Sequence, residues 1–224
     1  SCDEAYRGHL IENELSSCNR RSEVYERIRN CRIIVGTVAA ISGKPELFRL
    51  KHFDVAIIDE ATQILEPQLL GILCARGEDG KDAIDKFVLI GDHKQLPAVV
   101  QQNTEQSAIY DESLLSIGLT NLKDSLFERL YRNCTATVHR SYDMLCRQGR
   151  MHPEVALFAN RAFYGGRLIP VGLPHQIESS DTICRLAFYP SVPEKVGASA
   201  KINYSEARIV ADLAVRIYED HQTD

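Results

Sequence analysis

Two short apolar runs organise the pattern along the chain: Val55-Ala56-Ile57-Ile58 and Phe87-Val88-Leu89-Ile90, each opening onto polar groups. Both are short and rich in β-branched residues, so buried strands are expected over Asp54–Asp59 and Phe87–Ile90. Between them, Leu65-Glu66-Pro67 has helix-start chemistry, with proline in the first turn where its missing N–H is harmless. Leu69, Leu70, Ile72 and Leu73 supply that helix with an apolar face, and Gly77–Asp85 is expected as a solvated loop. Strand, helix and strand in this order predict a βαβ unit with parallel pairing.

The flanks are more polar. Residues 3–30 place Leu10, Ile11, Leu15, Val24, Tyr25 and Ile28 at loosely helical spacing among many charges, which predicts one or two exposed helices. Arg32–Val38 (RIIVGTV) has the composition of a further buried strand, with Thr37 at its end and Ser42-Gly43-Lys44-Pro45 breaking the chain after it. Downstream, helices are expected over 103–117 and 124–131, the second with an apolar stripe of Leu126, Phe127, Leu130 and Tyr131. A short strand is expected over Ala136–Val138. Pro153 starts a helix with Val155, Ala156, Phe158 and Ala159 on one side, and Gly165-Gly166 stops it. A strand over Ile183–Tyr189 is expected between two loops. Asn203–Asp220 is the most regular helix: Ala207, Val210, Leu213, Ala214 and Ile217 recur at three and four, and Asn203 with Glu206 fits a capping box.

Composition bounds what such a chain does. Its 224 residues, 44% apolar and 25% charged, suit a soluble globular protein with one substantial core or two modest ones. No run of 18 apolar residues occurs, and the polar, charged first thirty residues carry the expectation of no signal peptide. The net charge of −5 argues against a module that coats nucleic acid with a basic face, but leaves room for a narrow strand-binding groove. The seven cysteines include no C-x-x-C pair and no zinc pattern, and an odd total does not suit a disulfide framework. Reduced thiols in an intracellular protein, cytoplasmic or nuclear, are expected.

The candidate chemistry lies at the ends of the two central strands. Asp59 and Glu60 end the first; Gly91-Asp92-His93-Lys94-Gln95-Leu96-Pro97 follows the second. An open α/β sheet places ligands at such strand ends. Phosphoryl transfer to water needs Mg²⁺ on the phosphates and a group that positions the water, so one carboxylate would hold the ion and the other take the proton. Gln95 carries a donor and an acceptor, suited to bridging a terminal phosphate and a water, and Asp92 suits the turn or the ion's waters. Further on, Gln148-Gly149-Arg150-Met151-His152 places a guanidinium before the Pro153 helix, where it could stabilise charge on a transferring phosphoryl group. Taken singly, each is also an ordinary feature: a charged strand end, a polar turn, a basic loop with a helix-capping histidine. No G-x-x-x-x-G-K-[ST] loop lies within these residues.

In combination, Asp59-Glu60-Ala61-Thr62-Gln63, Gly91–Pro97, Ser125–Leu130, Gln148–Pro153, Phe163–Gly166 with Leu168, and Asn203 with Glu206-Ala207 resemble superfamily 1 helicases of the Upf1/Dna2-like group, from about residue 32 onwards. The resemblance implies an α/β, RecA-like P-loop NTPase architecture, with residues 1–135 from the first RecA-like domain and 136–224 from the second. It implies ATP and Mg²⁺ as cofactors, and single-stranded DNA or RNA as partner, with no membrane. In that family the counterpart of Asp59 organises Mg²⁺, that of Glu60 activates water, that of Gln95 senses the γ-phosphate and that of Arg150 reaches it. Asp92 and Gln148 fall among the nucleotide-binding positions, and Thr37, Thr62, Pro97 and His152 among those facing nucleic acid. Two departures stand out. Gly149 occupies the place of a tyrosine that stacks on adenine, and the P-loop and last arginine motif are not in these residues. The chain alone is therefore expected to be inactive and to depend on the remaining parts of its two RecA-like domains. Two other readings remain: a non-catalytic binding module derived from a helicase, and a phosphatase or nuclease with two metals on Asp59, Asp92 and Glu60.

Overall fold

The computed structural model describes residues 4–137, 141–177, 186–192 and 202–222. They fall in two units, Ser1–Asp143 and Met144–Asp224. The first opens with a 3₁₀ turn over Glu4–His9, followed by α1 (Ile11–Leu15) and α2 (Arg21–Asn30), none of which buries a residue. These are the exposed helices that the charge-rich start predicts. The carboxylate of Glu23 caps α2 by accepting from the amides of Asn19 (2.7 Å) and Arg20 (3.2 Å).

Residues 32–37 do not form the strand that their composition predicts. Ile33 and Val35 are 78% and 89% exposed. Strand propensity expresses the fit of side chains to a pleated, half-buried surface, and here no described strand pairs with this stretch. Thr37 instead caps α3 (Val38–Ser42), its side-chain oxygen accepting from the Ala40 amide at 3.2 Å. The short helix α4 (Pro45–Leu50) then buries Phe48.

The central βαβ unit follows as the apolar runs imply: β1 (Phe53–Ile58), α5 (Glu66–Leu73) and β2 (Ile84–Leu89), with β1 and β2 parallel from Phe53↔Ile84 to Ile58↔Leu89. β2 starts earlier than its apolar run, because Ala83 is fully buried and its carbonyl accepts from the Phe53 amide at 2.9 Å. The loop before it is correspondingly shorter than the sequence pattern suggests. Ala56, Ile58, Phe87 and Leu89 pack toward clusters built around Phe48, Ile72 and Ile84 and around Ala61, Leu69 and Leu126. Val55, Ile57, Val88 and Ile90 alternate onto the other face, where they are 44–67% exposed.

Between 103 and 117 only α6 (Glu112–Ser116) is helical. The side chains before it compete for the backbone. Asn103 Oδ1 accepts from the Gln106 amide (2.8 Å), Gln106 Oε1 accepts from the Asn103 amide (3.1 Å), and Ser107 donates to the Asn103 carbonyl (2.9 Å). α7 (Leu126–Ala136) is capped by Ser125, whose oxygen accepts from the Glu128 amide at 3.1 Å. It runs through Ala136, so the strand expected over Ala136–Val138 does not start there, and Val138 lies outside the described residues.

Arg129 of α7 ties this helix to α5. Its Nε and Nη2 donate to the two Glu66 oxygens at 2.9 and 2.5 Å, and its Nη1 donates to the Ile117 carbonyl at 3.0 Å. The two side chains are only 11% and 12% exposed. Removing one partner leaves a charge buried without its counter-ion, so Arg129→Met is expected to lower stability by about 3–5 kcal/mol, measured by denaturant unfolding. Adding Glu66→Leu is expected to restore most of the loss.

In the second unit, β3 (Arg147–Gln148) pairs in parallel with β4 (Ile169–Pro170), and α8 (Pro153–Phe163) connects them. Gly165 and Gly166 end that connection with φ of 60° and 73°, a left-handed stretch that side chains disfavour. Of the expected face of α8, Ala156 is buried, while Val155 and Phe158 are 40% and 68% exposed. α9 (Pro174–Ile177) follows β4, and α10 (Tyr204–Gln222) closes the unit. Asn203 caps α10 by accepting from the Glu206 amide (3.2 Å), while the Glu206 carboxylate accepts from Ser191 (2.8 Å). Of the strand expected over Ile183–Tyr189, residues 183–185 lie outside the described residues and 186–189 form no strand. Each unit thus carries a small parallel sheet flanked by helices, the mixed α/β architecture of RecA-like P-loop NTPase folds. No helix among the described residues is long and apolar enough to cross a membrane.

Candidate nucleotide site

The parallel ladder continues past both strands and draws their polar ends together. The Ile90 amide donates to the Ile58 carbonyl and the Ala61 amide to the Ile90 carbonyl, both at 2.8 Å. Asp59 and Glu60 on one side, and Gly91 to Gln95 on the other, therefore share the C-terminal rim of the β1–β2 sheet. Thr62 seals the junction. Its side chain is 6% exposed, and its hydroxyl accepts from the Asp92 amide at 3.4 Å. A Cβ on Gly91 would lie 3.0 Å from both the Thr62 amide nitrogen and the Thr62 methyl, so any larger residue here would push the two loops slightly apart.

Asp59 and Glu60 are exposed at this rim. Asp59 Oδ1 accepts from the Glu60 amide at 3.0 Å, and Glu60 Oε2 accepts from Gln63 Nε2 at 3.3 Å. Glu60 has a φ of 51°, the one positive value outside glycine among the described residues. Strained backbone of this kind concentrates at functional sites. Asp92 organises the second loop: its carboxylate accepts from the Lys94 amide (3.0 Å) and from Gln95 Nε2 (2.9 Å), and the Gln95 amide donates to the Asp92 carbonyl (3.1 Å). Gln95 and Pro97 are exposed.

His93 anchors this loop on α7. Its ring lies 4.2 Å from that of Tyr131, which in turn meets Tyr142 edge-on at 5.0 Å. Burial holds the His93 imidazole below its ordinary value of 6.5, and Lys94 pushes the same way against the carboxylates of Asp92 and Glu128. The folded state therefore favours the neutral ring, and the unfolded chain takes up the proton first as pH falls. This contribution to stability is complete above about pH 6.5 and is lost as pH falls through the depressed folded value. The thermal unfolding midpoint of the native sequence is expected to fall more between about pH 7.5 and 5.5 than that of His93→Phe.

In the second unit, Gln148 closes the turn that bears Arg150. Its Oε1 accepts from the amides of Arg150 (3.1 Å) and Met151 (2.8 Å), and its Nε2 donates to the Met151 carbonyl (2.8 Å). Arg150 is exposed, and His152 caps α8, its Nδ1 accepting from the Glu154 amide at 3.3 Å. A Cβ on Gly149 would meet Leu173 Cδ1 at 3.1 Å and Val171 Cγ2 at 3.4 Å, so these side chains crowd the position where a larger residue would start.

The structure therefore joins Asp59, Glu60, Thr62, Asp92 and Gln95 at one rim, and Gln148, Arg150 and His152 in one turn. Thr62, expected to face nucleic acid, has its side chain inside instead, and Thr37 is engaged as a helix cap. Three participants escaped the sequence pattern: Tyr131 beneath His93, and His175 and Gln176, which hold the Arg150 turn. Their contacts to the two loops span 25 to 38 residues of chain, beyond any local motif.

A cleft of about 790 Å³ lies elsewhere, lined by residues before β1 and before β2 together with Asp85 at the start of β2. Arg76 pairs there with Asp82 and Lys81 with Asp79, Lys51 donates to the Arg29 carbonyl, and Glu78 and Asp85 add negative charge, which leaves little field for a phosphate. Among the described residues no three His, Cys, Asp or Glu side chains could hold a metal ion together, so Asp59, Glu60 and Asp92 do not form a two-metal cluster. An exposed single carboxylate does fit Mg²⁺, which keeps several waters and takes its other ligands from substrate phosphates.

Two models described as AAA domain match the chain, over residues 10–103 and 122–224. Among curated relatives, the chicken "DNA replication ATP-dependent helicase/nuclease DNA2" is 33% identical over 144 residues, covering 64% of this chain and 12% of that protein. The human protein of the same name is 34% identical over 143 residues, covering 64% and 11%. The Arabidopsis thaliana "Probable helicase MAGATAMA 3" is 35% identical over 136 residues, covering 60% and 14%. The chain belongs to the superfamily 1, AAA-type helicase family related to Dna2 and Upf1. The stretch it matches is a small part of each of these relatives.

Proposed function

We propose that this chain forms parts of the two RecA-like domains of an ATP-dependent helicase that couples hydrolysis to movement along single-stranded DNA or RNA. The observation that carries this reading is the shared rim, where the β1–β2 ladder sets Asp59 and Glu60 beside Asp92 and Gln95. Asp59 would hold Mg²⁺ through its exposed carboxylate; the ion, when bound, neutralises phosphate charge. Glu60 accepts the proton of the attacking water. Gln95, oriented by Asp92, bridges that water and the terminal phosphate and carries the nucleotide state into its loop. Gln148 shapes the turn from which Arg150 meets the γ-phosphate. Thr37, Pro97 and His152 belong to the nucleic-acid path, with Thr62 acting indirectly by seating the Gly91 turn.

These 224 residues include no P-loop, so the polypeptide alone is expected to turn over no ATP. The full-length gene product, purified with its upstream sequence, is expected to hydrolyse ATP with Mg²⁺ and to respond to single-stranded DNA or RNA. Absence of turnover from that protein would leave the non-catalytic module, the reading motivated by glycine at 149 and by the lack of a P-loop in these residues.

A further inference from the structure

Gln176 is one residue of a short helix after β4, yet it is 2% exposed and uses every hydrogen-bonding position of its amide. Nε2 donates to the carbonyls of Gln148 (2.9 Å) and Met151 (3.0 Å). Oε1 accepts from the amides of Gly172 (3.1 Å) and Leu173 (3.2 Å). The two carbonyls bracket the Gly149-Arg150 dipeptide. The neighbouring His175 ring nitrogen lies 2.9 Å from the Gly149 carbonyl, and the Val171 amide donates to the Gln148 carbonyl at 3.1 Å. Only a planar amide offers two donors and an acceptor with two lone pairs at one side-chain end, and reversing it would set nitrogen against N–H groups and oxygen against carbonyls.

We propose that Gln176 is a positioning residue for Arg150. It clamps both ends of the turn from outside while the Gln148 side chain fills the turn from inside, so the exposed guanidinium departs from a fixed backbone. Groups that stabilise developing charge act through such preorganisation, and small misplacements are costly in rate. The kinetic part of this inference rests on the reading that Arg150 meets the nucleotide. The clamp itself does not.

Two substitutions separate the halves of the amide. Gln176→Glu retains the acceptor for Gly172 and Leu173 but loses both donors, whereas Gln176→Ala loses all four contacts. In the full-length protein, each is expected to lower kcat for ATP roughly 10- to 100-fold with little change in KM. Neither is expected to lower it further in an Arg150→Ala background. Equal losses in both backgrounds, or native turnover in Gln176→Glu, would overturn the proposal. Hydrogen exchange of a peptide spanning 148–152 reads the clamp without activity. Exchange at Arg150 and Met151 is expected to accelerate in Gln176→Glu, and unchanged exchange overturns the clamp. If Arg150→Ala leaves turnover intact while exchange still accelerates, the Arg150 reading has failed and the clamp stands.

Discussion

Replacing Glu60 by glutamine is expected to lower ATP turnover of the full-length protein by about 10²–10⁴-fold while nucleotide affinity changes little. Glutamine keeps the size and the acceptor oxygen of the side chain, so the contact from Gln63 survives. What it loses is a site for the water's proton. The backbone makes a second variant informative. Glu60 holds a left-handed φ of 51°, a conformation that costs of order 1–3 kcal/mol for a residue with a side chain. Glu60→Gly relieves that strain and is expected to raise stability by up to about 1 kcal/mol, its freer unfolded state offsetting the remainder. Gain of stability with loss of turnover is the signature of a strained functional residue. Steady-state hydrolysis and denaturant midpoints on the same preparations test both, and native turnover in Glu60→Gln would remove the residue from its role.

Arg150→Ala is expected to reduce turnover by about 10³-fold or more, the effect of losing a guanidinium that neutralises a transferring phosphoryl group. Lysine is not expected to restore the activity, because a point charge on a flexible stem lacks the planar fork. Folding should be unaffected, since Arg150 is exposed and its turn is held through main-chain groups by Gln148 and Gln176. A variant with unchanged unfolding midpoint and native kcat would show that this arginine does not meet the reacting phosphate.

The central strands were legible as a parallel pair because apolar runs four residues long, flanked by charge, suit such a pair, but only one face of it is covered: Val55, Ile57, Val88 and Ile90 stay exposed where the runs suggested burial on both. The meeting of Asp59 and Glu60 with the 91–97 loop follows from that pairing and from the ordered motifs. Arg32–Val38 misled because composition reports what a segment suits, while a strand also needs a neighbour. Residues 103–111 misled for a local reason: Asn103, Gln106 and Ser107 bind the backbone in place of helical bonds. The Glu66–Arg129 pair and the Gln176 clamp left no trace in any window, since a single glutamine or arginine carries no period and their partners lie 63 and 28 residues away.

The apolar plane formed by Val55, Ile57, Val88 and Ile90 has a practical bearing. Parallel sheets are ordinarily covered on both sides, so a recombinant product limited to these residues presents a sticky surface to detergents, hydrophobic dyes and its own copies. Dilute buffers and short storage favour such a product, and light scattering against concentration reports how far that surface drives clumping.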